Sequence, residues 1–230
     1  MAAVLDAVQA GTLSARVVGV ISNRPKAGGL ARAANFGVTA QVVDHESFGG
    51  RDAFEQALER SIDAMTPDLI VLAGFMRVLS ARFVACYAGR LLNIHPSLLP
   101  AYAGLHTHRR ALADGVRIHG CTVHFVTADV DHGPIVAQGA VPVREGDDEA
   151  SLAARVLEVE HRLLVAAVRW FCEDRLVIAG NAVHVKGGTE HNAATEAASL
   201  LSPAVNTERS MERLGTEGVQ ATLPPTQRVS

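Results

Sequence analysis

What this chain has little of narrows its identity first. Its three cysteines, Cys86, Cys121 and Cys172, include no closely spaced pair, so neither a disulfide framework nor a cysteine-based metal site is expected. Aromatic residues make up only 4% of the sequence, and none follows Phe171. Charge of either sign is scarcely in excess: the formal net charge is −3, which supplies no field to draw nucleic acid or an anionic membrane, and neither is expected as a partner. No apolar run is long enough to span a bilayer. The opening segment, Met1 to Gln9, is apolar but has no basic flank and no clear cleavage site, so a signal peptide is not expected. A reducing, cytoplasmic setting follows as the default.

What is present is ordinary in bulk but uneven along the chain. With 230 residues, 48% of them hydrophobic, there is material for one sizeable core. Residues 1–186 alternate short β-branched runs with helical patterns. The expected strands are Arg16 to Ser22, Thr39 to Val43, Leu69 to Phe75, Leu91 to His95, Cys121 to Val126 and Ile135 to Val143. The expected helices are Ala2 to Val8, Leu30 to Asn35, Ala53 to Met65, Ser80 to Tyr87 and Thr107 to Ala113. Strands alternating with helices predict an α/β domain with a largely parallel sheet. Residues 187–230 are rich in Thr, Ala, Glu, Ser, Gly and Pro and have little to bury. They are expected to form a disordered tail, with a nascent helix at Glu190 to Leu201.

Ten histidines are the compositional oddity, and His95, His106 and His108 lie close together. The stretch Leu92-Asn93-Ile94-His95-Pro96-Ser97-Leu98-Leu99-Pro100 runs a strand into a proline-punctuated loop. Pro96 biases His95 toward an extended backbone, and the period of two puts Asn93 and His95 on one side of the strand. A carboxamide and an imidazole then stand at the carboxyl end of a strand, where open α/β sheets form their ligand crevice. The same spacing also suits a buried Asn and His bonded to backbone. A second stretch, Ala128-Asp129-Val130-Asp131-His132-Gly133-Pro134, follows the strand that carries His124. Its two aspartates suit an Asx turn, and Asp131 can equally orient and charge a neighbouring histidine.

The third stretch is a helix capped by Asp147 or Asp148. Leu152, Val156, Val159, Leu163, Ala167 and Trp170 form its apolar stripe at spacings of three and four. Glu160 sits at the edge of that stripe, where a carboxylate needs either a partner, such as a ligand amine or hydroxyl, or access to water.

Together these segments resemble the phosphoribosylglycinamide formyltransferase family. The resemblance rests on Leu72-Ala73-Gly74-Phe75-Met76-Arg77-Val78-Leu79-Ser80, on Asn93 to Pro100, and on Gly104-Leu105-His106-Thr107-His108. It extends through His119-Gly120-Cys121-Thr122-Val123-His124-Phe125-Val126 to Asp131 with Gly133-Pro134, in unbroken order over about residues 1–180. It implies an α/β, Rossmann-like formyltransferase fold with a mostly parallel central sheet, whose catalytic domain is residues 1–186. The implied activity is formyl transfer from 10-formyltetrahydrofolate to the amine of phosphoribosylglycinamide, without a metal. The family's catalytic Asn, His and Asp fall on Asn93, His95 and Asp131. Its folate pocket falls on Met76, Arg77, Val78, Leu79, Leu91, Leu105, Ala128, Asp129 and Val130, and its ribotide-contacting glutamate on Glu160.

There are departures. The family begins with a strand and a Gly/Ser/Asn phosphate loop ahead of the helix that here starts at Met1. About a dozen residues, a strand and a turn's worth, are therefore expected to be missing, through a misplaced start codon. Ala103 stands where the family usually has Pro, and His132 where it usually has Gly. The rival readings are formyltetrahydrofolate hydrolase, methionyl-tRNA formyltransferase, an inactive truncated remnant, and a metal-dependent hydrolase using His106, His108 and Asp131. Against the last, side chains two apart at a helix start diverge.

Overall fold

A computed structural model describes residues 1–187, and the expected tail with its nascent helix lies outside the described residues. The chain order is α1 (Ala2–Gln9), β1 (Val20–Ser22), α2 (Gly28–Asn35), β2 (Ala40–Val42), a 3-10 turn (His45–Ser47), α3 (Arg51–Asp63), β3 (Ile70–Leu72), α4 (Ala81–Cys86) and β4 (Leu91–His95). It continues with α5 (Thr107–Ala113), β5 (Ile118–Phe125), β6 (Ile135–Pro142), α6 (Glu149–Cys172), β7 (Leu176–Ala179) and β8 (Ala182–Val185). None of the described helices is long and apolar enough to cross a membrane.

The fold is α/β, as the alternation predicts, and the parallel strands come first: β1 pairs with β2 and β3 with β4, each pair joined through a helix. After β4 most ladders are antiparallel, β4 with β5, β5 with β6 and β7 with β8, while β6 meets β8 in parallel at Ile135 and Ala182. Hydrogen bonding divides the strands into a two-stranded sheet, β1-β2, and a six-stranded sheet ordered β3-β4-β5-β6-β8-β7. The β7–β8 hairpin is not among the expected elements. Both of its strands are short and largely exposed, so they lack the apolar alternation that marks a half-buried strand. The available signal is the two-residue link Gly180-Asn181, a pairing that favours a tight hairpin.

Strand β4 divides two cores. Leu92 and Ile94 join Cys121, Val123 and Phe125 of β5 and Leu152, Val156, Leu164, Ala167 and Val168 of α6 in one buried cluster. Leu91, on the other face, packs with Phe54, Leu58 and Ile62 of α3, Phe83 and Val84 of α4, and Tyr87. With residues on both faces withdrawn from water, the strand reads as apolar except where Asn93 and His95 interrupt it.

Helix α6 presses on the first cluster, and its start is fixed by polar contacts. The Asp148 carboxylate accepts the Ser151 backbone N–H at 2.8 Å, while the Ser151 hydroxyl faces the Asp148 backbone N–H at 3.0 Å, a reciprocal cap. Arg155 then donates to both oxygens of Asp147 at 2.8 Å each, which holds that carboxyl well below the usual carboxylate range. Removing the cap by Asp148→Ala is expected to lower stability, read as an earlier urea midpoint with an unchanged slope.

Candidate active site

The register of β4 against β5 sets the polar group. Asn93 lies opposite His124 and His95 opposite Thr122, and residues directly opposite in an antiparallel pair share a face. Cys121, Val123 and Phe125 take the apolar face of β5, which leaves Thr122 and His124 on the side of Asn93 and His95. The Asn93 Nδ2 lies 3.2 Å from His124 Nε2. Thr122 staples the proline loop to β5: its hydroxyl donates to the Ser97 carbonyl at 2.7 Å and accepts the Leu99 N–H at 3.0 Å.

Asp131 reaches the group from the loop after β5. Its backbone is left-handed, φ 56°, a conformation Asp tolerates better than most residues. The next turn is closed by Gly133, where a Cβ would meet the Phe125 carbonyl oxygen at 1.7 Å, so only glycine fits. The Asp131 Oδ2 accepts the Gly104 N–H at 2.8 Å and stands 3.5 Å from His95 Nδ1. Its Oδ1 is 3.8 Å from His124 Nε2. On the far side of the ring, His95 Nε2–H donates to the Tyr102 carbonyl at 3.0 Å. Both ring nitrogens of His95 therefore face oxygen acceptors. His124 is placed differently. It is buried, its Nδ1 meets the Phe125 carbonyl at 3.0 Å, and burial lowers its pKa against the weaker pull of that carbonyl and of Asp131.

The sequence-predicted trio Asn93, His95 and Asp131 is thus brought into one linked group, and sequence reasoning leaves out the fourth member, His124. Its signal was the one histidine in the mostly apolar run Cys121 to Val126. The other predicted positions divide. Met76, Val78, Leu105 and Val130 are large apolar side chains left open to solvent, as a ligand wall would be. Arg77 lies with its guanidinium 5.6 Å from the Phe54 ring centre, and Ala128 and Asp129 are exposed on the loop before Asp131. Leu79 and Leu91 are instead core residues packed with Phe54 and Phe83, so their side chains can form a floor but not a wall. Glu160 stands apart from the trio, on α6 near Cys121 and the Met1 amino group. Burial raises its pKa, and the ammonium of Met1 partly offsets this.

His106 and His108 do not converge. His106 is exposed and left-handed at the start of α5, whereas the His108 ring turns inward onto His119, ring centres 5.2 Å apart. Among the described residues, no group of three or more His, Cys, Asp or Glu side chains is placed to hold a metal ion.

This geometry has known counterparts. The profile of the Formyl transferase family matches residues 1–168, and the chain belongs to that family. Within it, the chain is 46% identical over 185 residues to phosphoribosylglycinamide formyltransferase of Escherichia coli (strain K12), covering 80% of this chain and 87% of that one. The crystal structure of glycinamide ribonucleotide transformylase 1 from Symbiobacterium toebii is similar with a TM-score of 0.78 and 48% identity, covering 80% of this chain and 87% of the other. Formyltetrahydrofolate deformylase from Burkholderia mallei is similar at 33% identity and a TM-score of 0.72, but the match covers only 64% of that longer chain.

Beside the group, His119 is buried at 1% exposure, and neither its Nε2 nor the Nδ1 of His108 has a hydrogen-bond partner among the described residues. Burial, with His108 adjacent, pushes the His119 pKa down to about 4 from 6.5, and burial lowers that of His108 as well. The folded His119 stays neutral where an unfolded histidine takes up a proton. Its contribution is therefore intact above pH 6.5 and is lost as the pH falls toward 4. Between pH 8 and pH 5 the unfolding free energy is expected to drop by about 2 kcal/mol through this residue. Urea unfolding at the two pH values checks this, and the drop should shrink by that amount in His119→Phe.

Proposed function

We propose that this chain transfers the formyl group of 10-formyltetrahydrofolate to the amine of phosphoribosylglycinamide, a step of de novo purine synthesis. The observation that carries the proposal is the linked group of Asn93, His95 and Asp131 at the carboxyl end of β4, in a chain of the formyl transferase family with the transferases above as relatives.

The chemistry needs what these residues supply. The substrate amine attacks the formyl carbon, forming a C–N bond, an oxyanion and a cationic nitrogen. The Asn93 amide and the His95 Nδ1–H donate to the oxyanion. The 3.5 Å separation of Nδ1 from Asp131 is long for a hydrogen bond and leaves that proton available to a closer acceptor. The Asp131 carboxylate balances the charge on His95 and, directly or through a water, carries the proton from the attacking nitrogen toward the leaving nitrogen of the folate as its C–N bond breaks.

Met76, Val78, Leu105 and Val130 are exposed apolar side chains that would line the folate ring system together with Arg77, Leu79, Leu91, Ala128 and Asp129. Glu160, whose carboxyl is raised by burial, is poised to gain from a ligand amine or hydroxyl.

The likeness to the deformylase supports one other reading, in which water replaces the amine and formate is the product. A single assay separates the two: tetrahydrofolate release that requires the ribotide identifies the transferase, and release without it identifies the hydrolase. No release from folded protein refutes both. Activity is expected to survive exhaustive chelation, which the metal-hydrolase reading forbids. Asn93→Ala and His95→Ala are each expected to reduce kcat by about 100- to 1000-fold, the usual loss for an oxyanion donor, with an unchanged circular dichroism spectrum. Wild-type turnover in either variant would overturn the assignment.

A further inference from the structure

An asparagine is an ambiguous oxyanion donor. Its NH2 and C=O ends have nearly the same shape, and a half-turn of the carboxamide would aim a carbonyl at the developing negative charge. Some neighbour has to decide which end faces the reaction. We propose that His124 is that positioning residue: as a neutral ring protonated on Nδ1, it offers its bare Nε2 as an acceptor to Asn93 and holds the amide with its NH2 group toward the reacting formyl oxygen. The inference rests on the reading of Asn93 as an oxyanion donor.

The protonation of His124 follows from its two contacts. Its Nδ1 lies 3.0 Å from the Phe125 carbonyl oxygen, which can only accept, so Nδ1 carries the proton. The ring is 1% exposed, and burial disfavours a second proton. Nε2 is then a lone pair, 3.2 Å from the Asn93 Nδ2, and it can receive an N–H but not a carbonyl. Turning the amide over would set two acceptors against each other with no proton between them, at a site from which water is largely withdrawn.

The surroundings agree. Nε2 is 3.8 Å from Asp131 Oδ1, too far for the hydrogen bond that an Nε2–H would make with so near a carboxylate. The pair is also set by backbone rather than by chance, since Asn93 and His124 are direct partners in the β4–β5 ladder. One hydrogen of the Asn93 NH2 is then spent on His124, and the other is left for the oxyanion.

Two readouts test this on the full chain. In protein labelled with imidazole nitrogen-15, the His124 ring, assigned by its loss in the variants, is expected at neutral pH as the Nδ1–H tautomer. One proton of the Asn93 side-chain amide is expected to be shifted downfield by the bond to Nε2. Kinetics on two substitutions then separates positioning from packing. H124Q carries an amide oxygen to about the place of Nε2 and is expected to keep kcat within about fivefold of wild type. H124N, whose shorter side chain restores only the donor to the Phe125 carbonyl, is expected to lose tenfold or more, short of the loss of a whole oxyanion donor. The KM for each substrate should stay within about threefold in both variants.

An Nε2–H tautomer, an imidazolium at neutral pH, or H124N as active as H124Q would overturn the proposal. The ring and amide signals do not depend on turnover. A wild-type protein without transferase activity would therefore refute the function above, while the tautomer would still decide the role of His124.

Discussion

In an antiparallel ladder a slip of one residue exchanges the two faces of a strand, and β4 and β5 are built so that such a slip is prohibitive. Leu92 and Ile94 of β4 meet Cys121, Val123 and Phe125 of β5 under α6. Displaced by one position, the same ladder would drive either Asn93 and His95 or His124 into that apolar cluster, each at a cost of about 1–3 kcal/mol or more for an unmet polar group. The packing of α6 thus selects the register, and the register selects which polar side chains stand together. Asp131 and the Ser97 loop are then fastened to this pair, through the Gly104 N–H and through Thr122.

That order of dependence explains what was legible beforehand. The shared face of Asn93 and His95 is a local property, and alternation along Leu91–His95 is enough to read it. Helix α5 at Thr107–Ala113 is local too and is reproduced. The α6 stripe is reproduced at Leu152, Val156 and Ala167, with Leu164 and Val168 also buried and Val159, Leu163 and Trp170 only partly so. The partnership of Asn93 with His124 is not local. It depends on which residue of a strand 31 positions away falls opposite, and no periodicity encodes that. The same limit applies to β1: Arg16 to Gly19 have strand-forming composition, but only Val20–Ser22 find ladder partners, in the three residues Ala40–Val42. The left-handed backbone at Asp131 was also beyond reach, because Asp fits an Asx turn equally well.

The histidines show how far environment outweighs residue type. His95 has an oxygen before each ring nitrogen. His124 has one carbonyl and one amide. His119 has aromatic edges, from Tyr102 and His108, and an orphaned nitrogen. Within a few ångströms the same side chain thus meets two oxygen acceptors, a carbonyl and an amide that suit one neutral tautomer, and a buried pocket that keeps it neutral at a cost to acid stability.

The position of β4 between two cores also has a kinetic side. Its backbone amides can reach solvent only when the cluster under α6 and the cluster under α3 and α4 both part, an event close to global unfolding. In a hydrogen-exchange experiment the strand that carries Asn93 and His95 therefore belongs to the slowest class. The β1–β2 pair, with every residue of β2 exposed, belongs to the class that opens by local fluctuation. The chemical group rides on the last part of the molecule to loosen.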